Sequence, residues 1–283
     1  MSSLKLVKFE GLMAPTFTPF DENNQVNYDI IEPYAKFLKS NGIEAILING
    51  TTGEGMLMTV EERKKVTEKW QEVCKKLEIL MMVQIAGCSF ADVIELAKHA
   101  EKIEVDGVLC LPELYFKPKT IEKLVGYLKE ISKFCPTRPL YYYHIPMFVS
   151  VDVPMAAFME LAKKEISTFK GIKFTSGDLE KGFPCLKHGQ VYLGSDTILC
   201  GALALGFTSA IMTSLNIVPH LAIKIVEYMK KGEVEKAREQ QMLLTEFVEK
   251  ILKKGGGDWV PSMKKAFNEN FKDMNLGCVR KPL

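Results

Sequence analysis

The sequence predicts an α/β fold of the (β/α)8 TIM-barrel class with a helical C-terminal extension. Short apolar runs bounded by turn residues alternate with amphipathic stretches that carry charge at helical spacing. One strand and one helix together occupy about 30 residues, so eight such pairs account for the roughly 250 residues of a typical closed barrel. After the eighth apolar run only helical patterns follow, which predicts the extension.

The predicted strands are the eight short apolar runs, each of which ends where turn residues begin. They span residues 12–17, 45–49, 80–86, 107–111, 140–145, 171–174, 191–194 and 210–213. No Gly-x-Gly-x-x-Gly motif follows the first of them, so the sequence gives no support to a doubly wound dinucleotide-binding fold.

The predicted helices include residues 60–76, 91–103, 121–134 and 154–163, and after the last strand 221–230, 233–253 and 259–271. Pro154 suits the first turn of its helix, where a backbone N–H has no intrahelical partner. The three glycines at 255–257 lie between two helices, which favours a helix stop over a phosphate-binding loop. We expect one structural unit, with the barrel and active site in residues 1–230 and the packed extension in residues 231–283.

The composition excludes several classes of partner. The 283 residues are 47% hydrophobic, and 37 Lys and Arg against 35 Asp and Glu give a net charge of +2. This charge is too weak to gather nucleic acid or an anionic membrane, so the expected partners are small molecules. No apolar run reaches the roughly 18 residues of a membrane span, and charges at Lys5, Lys8 and Glu10 interrupt the N-terminus. We therefore expect a cytoplasmic protein.

The cysteines and histidines signal neither a metal site nor a disulfide framework. The seven cysteines are scattered without a Cys-x-x-Cys pair, and the four histidines form no His-x-His or His-Glu-x-x-His spacing. We expect no metal, so chemistry must come from other side chains. In a barrel these lie at the carboxyl ends of the strands and in the loops that follow.

The loop after the second strand reads Asn-Gly-Thr-Thr-Gly-Glu-Gly at residues 49–55. Thr51 and Thr52 place two hydroxyls among glycines that let backbone N–H groups approach an anion, so a substrate carboxylate would fit. A tight strand-to-helix turn that needs glycine for its geometry explains the same spacing. The sequence leaves both interpretations open.

Lys173 lies near the carboxyl end of the sixth strand, where its side chain would point toward the barrel mouth. Desolvation penalises the charged form of an amine, and a neutral lysine is a nucleophile toward ketones and aldehydes. Schiff-base chemistry is therefore the predicted use. The alternative is a salt-bridged structural lysine, and Lys170 in the same segment shows that a lysine there need not be special.

Tyr143 is the last of three consecutive tyrosines, and a proline three residues later ends the strand near this hydroxyl. Since the fifth strand neighbours the sixth, the hydroxyl and the Lys173 amine can meet over one reacting carbon, as acid-base catalysis requires. Strand alternation turns His144 away from the lumen if Tyr143 points into it. We therefore predict that His144 is structural and that Tyr141 and Tyr142 are packing residues.

Three separated motifs carry a resemblance to a known family. They are Gly-Thr-Thr-Gly-Glu at 50–54, Tyr-His-Ile-Pro at 143–146 and Gly-Ile-Lys-Phe-Thr at 171–175. In this order and at these strand ends they resemble the superfamily of N-acetylneuraminate lyase and dihydrodipicolinate synthase, which are class I aldolases. The tyrosine motif, together with Glu62, Arg63 and Trp70, is most similar to the animal-type lyases.

The resemblance implies a role for each matching residue. Lys173 would form the imine with the carbonyl of pyruvate or open-chain sialic acid, and Tyr143 would move the proton of the sugar hydroxyl during cleavage. Thr51 and Thr52 would hold the pyruvyl carboxylate. The further substrate-binding positions are Thr175, Gly194, Asp196, Thr197 and Thr213. The resemblance also implies pyruvate and N-acetylmannosamine as products, no cofactor and a homotetramer.

The departures from the family lie at the sugar end. Thr197 stands where these lyases usually carry glutamate, and Met212 and Leu215 replace a glycine and a tyrosine after the eighth strand. A threonine cannot accept hydrogen bonds as a carboxylate does. These departures put the sugar specificity in question and leave the aldolase step intact.

Three functions are consistent with these residues. The first is a sialic acid lyase, and the second is a relative that condenses pyruvate with another aldehyde, including the synthase reaction. The third is a catalytically silent binding paralogue. Phe148 stands where the synthases carry an arginine for a substrate carboxylate, and an apolar side chain cannot make that bidentate contact. The silent paralogue should lack Lys173 or Tyr143, and the sequence keeps both.

Overall fold

Eight parallel strands form a closed barrel in chain order in the computed structural model, which describes residues 9–283. The strands are β1 Leu12–Pro15, β2 Ala45–Ile48, β3 Leu80–Gln84, β4 Gly107–Cys110, β5 Leu140–His144, β6 Phe169–Phe174, β7 Gln190–Leu193 and β8 Ser209–Ile211. Each of them overlaps one of the predicted strands. The (β/α)8 barrel class is therefore confirmed.

Helices follow the strands, and further helices follow the barrel. They are α1 Ile31–Ser40, α2 Val60–Leu77, α3 Phe90–Lys102, α4 Ile121–Ser132, α5 Pro146–Val149, α6 Met155–Glu165, α7 Leu179–Gly182, α8 Leu199–Ala204, α9 Pro219–Lys230, α10 Val234–Lys254 and α11 Trp259–Asn270. Most predicted helix ends lie within two or three residues of these bounds. Pro154 caps α6 from the position before its first helical residue, one residue from the predicted place.

The described chain forms two compact units. The first comprises residues 9–11, Met82–Ser195 and Leu205–Ala210, and the second comprises Leu12–Met81, Asp196–Ala204 and Ile211–Leu283. This division follows packing within each unit and does not test the predicted boundary at residue 230, which stays a prediction. No helix within residues 9–283 is both long enough and apolar enough to cross a membrane.

Aromatic packing in the first unit follows the alternation of side chains along β5. Tyr142 packs edge-on against Phe158 of α6 at 5.0 Å between ring centroids, so it faces the surrounding helix. Tyr141 points to the other face and packs against Tyr192 of β7 at 5.5 Å. Burial raises the pKa of Tyr141, Tyr142 and Tyr192, which keeps their hydroxyls protonated. The predicted packing roles of Tyr141 and Tyr142 are confirmed.

The C-terminal helix α11 is held in the core of the second unit by aromatic and polar contacts. Phe267 lies 5.2 Å from the ring of Tyr34, whose hydroxyl donates to Asn216 Oδ1 at 2.6 Å. Asn216 in turn donates from Nδ2 to the carbonyl of Pro15 at the end of β1. Because these side chains are buried, the turn after β8, the end of β1 and α11 are fixed relative to one another.

The glycines at 255–257 end α10. The Gly255 N–H donates to the carbonyl of Ile251 at 2.9 Å, and the Gly257 N–H donates to that of Leu252 at 2.9 Å. Gly256 and Gly257 have φ values of 83° and 96°, in the left-handed region that favours glycine. The prediction of a helix stop is confirmed.

Candidate active site

Lys173 and Tyr143 are register partners on the adjacent strands β6 and β5. Both are buried, with 5% and 2% of their surfaces exposed. The Lys173 Nζ donates to the Tyr143 hydroxyl at 3.1 Å and lies 4.3 Å from the centre of that ring. No salt bridge to Lys173 forms among residues 9–283, so the alternative of a salt-bridged lysine is wrong. The amine and the phenol lie within proton-transfer distance of each other.

His144 turns to the other face of β5. Its ring stacks on Phe174 with centroids 5.0 Å apart, and its Nε2 lies 3.9 Å from Asp152 Oδ1. Burial lowers the pKa of His144 to about 4 against the opposing charge of Asp152, and the Lys181 ammonium adds to the lowering. The ring is therefore neutral near pH 7 and packs as an aromatic side chain. The prediction that His144 is structural is confirmed.

The lowered pKa of His144 predicts a pH dependence of stability. The folded protein resists protonation of this ring, so its contribution is present above about pH 6.5 and is lost as the pH falls toward 4. The free energy of unfolding should decrease between pH 6.5 and pH 4, and in His144→Phe this decrease should be smaller by up to about 3 kcal/mol. Denaturant titrations at pH 7 and pH 4.5 measure this difference.

The exposed His220 provides the matched control for that measurement. His220→Phe should leave the pH dependence of the unfolding free energy as it is in the parent protein. Equal slopes in the parent and in His144→Phe would contradict the assignment of this slope to His144.

Thr175 and Gly194 follow directly after β6 and β7. Their backbone N–H groups donate to the carbonyls of His144 and Phe174, both at 2.8 Å. A Cβ on Gly194 would lie 2.0 Å from the Thr175 Oγ1, so the position admits only glycine without a shift of that side chain. The Thr175 hydroxyl is buried and has no hydrogen-bond partner among the described residues. An unsatisfied buried hydroxyl is costly, which marks this pair as a candidate for ligand contact.

The loop after β2 is a tight turn that requires glycine. A Cβ on Gly55 would lie 1.9 Å from the carbonyl oxygen of Asn49, and the Gly55 N–H donates to the Gly50 carbonyl at 3.2 Å. The Glu54 N–H donates to the carbonyl of Thr51, and Glu54 itself has a φ of 54°. The geometric interpretation of the glycines is confirmed. The carboxylate site at Thr51 and Thr52 stays a prediction.

A buried ion pair anchors this loop to the C-terminal segment. Lys264 Nζ lies 2.8 Å from Glu54 Oε1, and at most 1% of either side chain is exposed. Lys264 also donates to the carbonyls of Thr18 and Cys278, and the Arg280 N–H donates to Glu54 Oε2 at 2.7 Å. Burial lowers the pKa of Lys264, and the Glu54 carboxylate opposes that shift. Loss of one partner would leave a buried charge unpaired, so the pair holds the loop in place.

Thr52, Thr213 and Trp259 form a chain of hydrogen bonds in the second unit. The Thr52 and Thr213 hydroxyl oxygens are 3.0 Å apart, and the Trp259 Nε1–H donates to Thr213 Oγ1 at 3.1 Å. Both threonines are buried, with 4% and 5% of their surfaces exposed. The structure thus brings together two predicted substrate-binding residues and adds a tryptophan that the sequence analysis missed.

Asp196 supports the turn after β8. Its Oδ1 accepts from the Ser214 N–H at 2.8 Å, and its backbone carbonyl accepts from Gln241 Nε2 at 3.1 Å. Asp196 is 4% exposed, whereas the neighbouring Thr197 is half-buried. The Asp196 carboxylate therefore fixes the turn that carries Thr213. A contact of Asp196 or Thr197 with a sugar stays a prediction.

The remaining departures from the family lie inside the fold. Met212 and Leu215 are fully buried, and Leu215 lies in the 3-10 turn Thr213–Asn216. The predicted eighth strand reached residue 213, but β8 ends at Ile211 because the 3-10 turn begins at Thr213. Met212 directly precedes Thr213, which is the residue of this turn that takes part in the hydrogen-bond chain.

Lys264 and Trp259 were not predicted from the sequence, although a sequence pattern indicates each of them. Lys264 belongs to the buried face of α11 together with Val260, Met263 and Phe267, which are spaced as an apolar stripe. A lysine in such a stripe indicates a buried partner. Trp259 begins α11 directly after the glycine run and is one of two tryptophans in the chain.

Each unit offers its own chemical groups. The first supplies an amine and a phenol at 3.1 Å, and the second supplies the hydroxyls of Thr52 and Thr213. An amine beside a phenol suits imine formation with proton transfer, and hydroxyl donors suit a carboxylate. Within residues 9–283 there is no group of three or more His, Cys, Asp or Glu side chains that could hold a metal ion.

The chain is similar to known proteins in both sequence and fold. A model of the dihydrodipicolinate synthetase family matches residues 8–283. Human N-acetylneuraminate lyase is 31% identical over 282 residues, which cover 98% of this chain and 87% of that protein. The solved structure of the sialic acid aldolase of Aliivibrio salmonicida is 33% identical with a TM-score of 0.91, covering 97% of this chain and 91% of its own. A solved dihydrodipicolinate synthase is 28% identical with a TM-score of 0.87, covering 97% and 93%.

Proposed function

The chain belongs to the dihydrodipicolinate synthetase family, and from this premise we propose that it is a class I aldolase that cleaves N-acetylneuraminate to pyruvate and N-acetylmannosamine. The observation that carries the proposal is the buried hydrogen bond between Lys173 Nζ and the Tyr143 hydroxyl. It pairs a nucleophilic amine with a proton carrier, as Schiff-base cleavage requires. The relatives named as lyases support the choice of substrate.

The reaction begins at Lys173. Its amine attacks the ketone carbon of the open-chain substrate, and the adduct takes up a proton from solvent and loses water to give an iminium. The Tyr143 oxygen accepts the proton of the substrate hydroxyl beyond the scissile bond while its own phenolic proton passes to water, and the carbon-carbon bond breaks as that carbon becomes an aldehyde. The bonding electrons pass to the iminium nitrogen, which leaves an enamine. Protonation of the enamine carbon and hydrolysis then release pyruvate and restore the amine.

The substrate carboxylate is proposed to bind Thr51 and Thr52. A carboxylate only accepts hydrogen bonds, and the two hydroxyls with the backbone N–H groups of their turn are donors. Both threonines follow the carboxyl end of β2, and the active sites of closed parallel barrels lie at that end of the strands, which supports the assignment. Thr175, Gly194, Asp196, Thr197 and Thr213 are proposed to take the sugar portion.

The synthase reaction is the weaker alternative. Phe148 occupies the place of the arginine that binds the second substrate's carboxylate in the synthases, and its side chain is 63% exposed on α5. An apolar group cannot pair with that carboxylate. The silent-paralogue alternative is weaker still, because the amine and the phenol are both present and hydrogen-bonded.

The test is release of pyruvate from N-acetylneuraminate, measured by coupling to lactate dehydrogenase. We expect turnover with the parent protein and none with Lys173→Met. A parallel assay offers pyruvate and aspartate semialdehyde. Activity only with pyruvate and aspartate semialdehyde would show that the protein is a synthase and not a lyase. Imine formation without turnover in either assay would support the silent paralogue.

Thr197 is the departure that we expect to weaken discrimination of the sugar tail. Hydrogen bonds to a charged group contribute about 1.5–3 kcal/mol, against about 0.5–1.5 kcal/mol for neutral ones. Thr197→Glu should therefore improve kcat/KM for N-acetylneuraminate relative to a tail-shortened analogue by about tenfold. The measurement is the ratio of kcat/KM for the two substrates in both proteins.

Thr197→Gln is the control for that substitution, because it has the length of glutamate without the charge. It should recover less of the discrimination than Thr197→Glu. An unchanged substrate ratio in both variants would mean that Thr197 does not face the sugar tail. The homotetramer and the cytoplasmic location stay predictions, and light scattering tests the first of them.

A further inference from the structure

The hydroxyl of Thr52 must donate its hydrogen if it binds a carboxylate, because a carboxylate has only acceptors. Among the described residues, Thr213 is the only hydrogen-bond partner of this hydroxyl, at 3.0 Å. If Thr52 donates to Thr213, its hydrogen is used and cannot reach a ligand. If Thr213 donates to Thr52, the Thr52 hydrogen stays available. The direction of this one bond therefore decides whether Thr52 can bind substrate.

Trp259 biases the direction of that bond. An indole N–H only donates, so the Trp259 contact with Thr213 Oγ1 occupies a lone pair of the threonine. Either direction of the Thr52–Thr213 bond leaves one hydroxyl hydrogen unpaired, because no further group within residues 9–283 bonds either hydroxyl. A hydroxyl that already accepts a hydrogen bond is a better donor and a poorer second acceptor, so the bond from Trp259 favours Thr213 as the donor. The favoured arrangement is Trp259 donating to Thr213 and Thr213 donating to Thr52.

The hydrogen bonds from Trp259 to Thr213 and from Thr213 to Thr52 also make the Thr52 hydroxyl a stronger donor. A hydroxyl that accepts a hydrogen bond becomes a better donor, and the effect passes along a chain of such bonds in a low-dielectric interior. Thr52 and Thr213 are both buried, so water competes little for either hydroxyl. The Thr52 hydrogen at the end of the chain is therefore both unpaired and polarised.

We propose that Trp259 is a positioning residue that acts through Thr213 to present the Thr52 hydroxyl hydrogen to the substrate carboxylate. The inference rests on the proposed function, because it assigns a carboxylate to Thr52. It gives the C-terminal helix α11 a part in substrate binding. Its first residue, Trp259, sets which way the hydroxyl of Thr52 donates, although Thr52 lies in a loop more than two hundred residues earlier. Trp259 does not take part in the bond-breaking step.

The test uses Trp259→Phe, which removes the N–H and keeps a ring. The readout is the pyruvate concentration that half-saturates borohydride trapping of the imine, with methyl pyruvate as a probe that lacks the charged carboxylate. We expect Trp259→Phe to raise this concentration about three- to tenfold for pyruvate and to leave that for methyl pyruvate within about twofold. A loss of packing alone would affect both probes equally.

A double-mutant cycle isolates the effect of the hydrogen bonds that connect Trp259 to Thr52 through Thr213. In a Thr52→Val background, Trp259→Phe should have no further effect on pyruvate, because the donor that it orients is already absent. Thr213→Val should raise the half-saturating pyruvate concentration less than Trp259→Phe, because it removes the acceptor that competes for the Thr52 hydrogen together with the donor that polarises it. Asn270→Ala is the matched control, since it removes one side-chain hydrogen bond at the other end of α11, and it should leave trapping unchanged.

The outcomes separate this inference from the proposed function. Additive effects of Trp259→Phe and Thr52→Val, or equal effects on both probes, would overturn the positioning role while the aldolase proposal stands. An unchanged pyruvate dependence in Trp259→Phe would do the same. A parent protein that forms no imine with pyruvate would overturn the proposed function and this inference with it.

Discussion

Lys173→Met should lower the cleavage of N-acetylneuraminate by about 10⁴-fold or more, because the imine cannot form without the amine. Methionine keeps an unbranched apolar stem at a position that is 5% exposed, so the barrel should still fold. Circular dichroism and the thermal midpoint check the fold, and the coupled pyruvate assay measures the loss. A variant that keeps more than a few per cent of the activity would rule out Lys173 as the nucleophile.

Borohydride trapping identifies the reacting lysine directly. In the parent protein, reduction in the presence of pyruvate should attach a stable secondary amine to Lys173, and peptide mass spectrometry locates it. Lys170 of the same strand is the internal control, since its Nζ donates to the Ser167 carbonyl and is exposed. An adduct at Lys170, or none in the parent protein, would contradict the mechanism. Lys170→Ala should retain both trapping and turnover.

Tyr143→Phe should slow cleavage by about 10²- to 10⁴-fold while the imine still forms. The substitution removes the hydroxyl that accepts from Lys173 Nζ and keeps a ring of the same shape in a position that is 2% exposed. Trapping with pyruvate should therefore persist, because it needs the amine and not the proton carrier.

Single-turnover measurements separate the two steps for this variant. The rate of imine formation should change little compared with the rate of pyruvate release. The matched control is Tyr142→Phe, on the opposite face of β5, where the ring packs against Phe158 and takes no part in catalysis. Turnover of Tyr143→Phe within threefold of the parent would contradict its role as proton carrier.

Local sequence patterns determined the barrel and the pairing at its centre. Continuous apolar runs and amphipathic helices recur at a period that only a repeating strand-helix unit explains. Alternation along a strand then put Tyr143 and His144 on opposite faces, and adjacency of β5 and β6 put Tyr143 beside Lys173. These inferences succeeded because they depend on neighbours in the chain or in the strand order.

The glycine-rich loop shows where local pattern was insufficient. Its spacing suited both an anion cradle and a tight turn, since glycine serves each of them. The structure shows that the tight turn requires glycine, because a Cβ on Gly55 would have no room beside the Asn49 carbonyl. The binding of a carboxylate by Thr51 and Thr52 stays a prediction, which the trapping experiments test.

Contacts between distant segments were decided only by the tertiary structure. Glu54 and Lys264 are 210 residues apart, and Thr213 and Trp259 are 46 apart, yet each pair is hydrogen-bonded in the second unit. Their meeting depends on how α11 packs against the ends of β1 and the turn after β8. Periodicity within a helix fixes which face is buried, but it does not say which loop that face covers. The sequence by itself therefore determined the barrel and the Lys173–Tyr143 pair, whereas the packing of α11 decided what holds and orients the loop that carries Thr52.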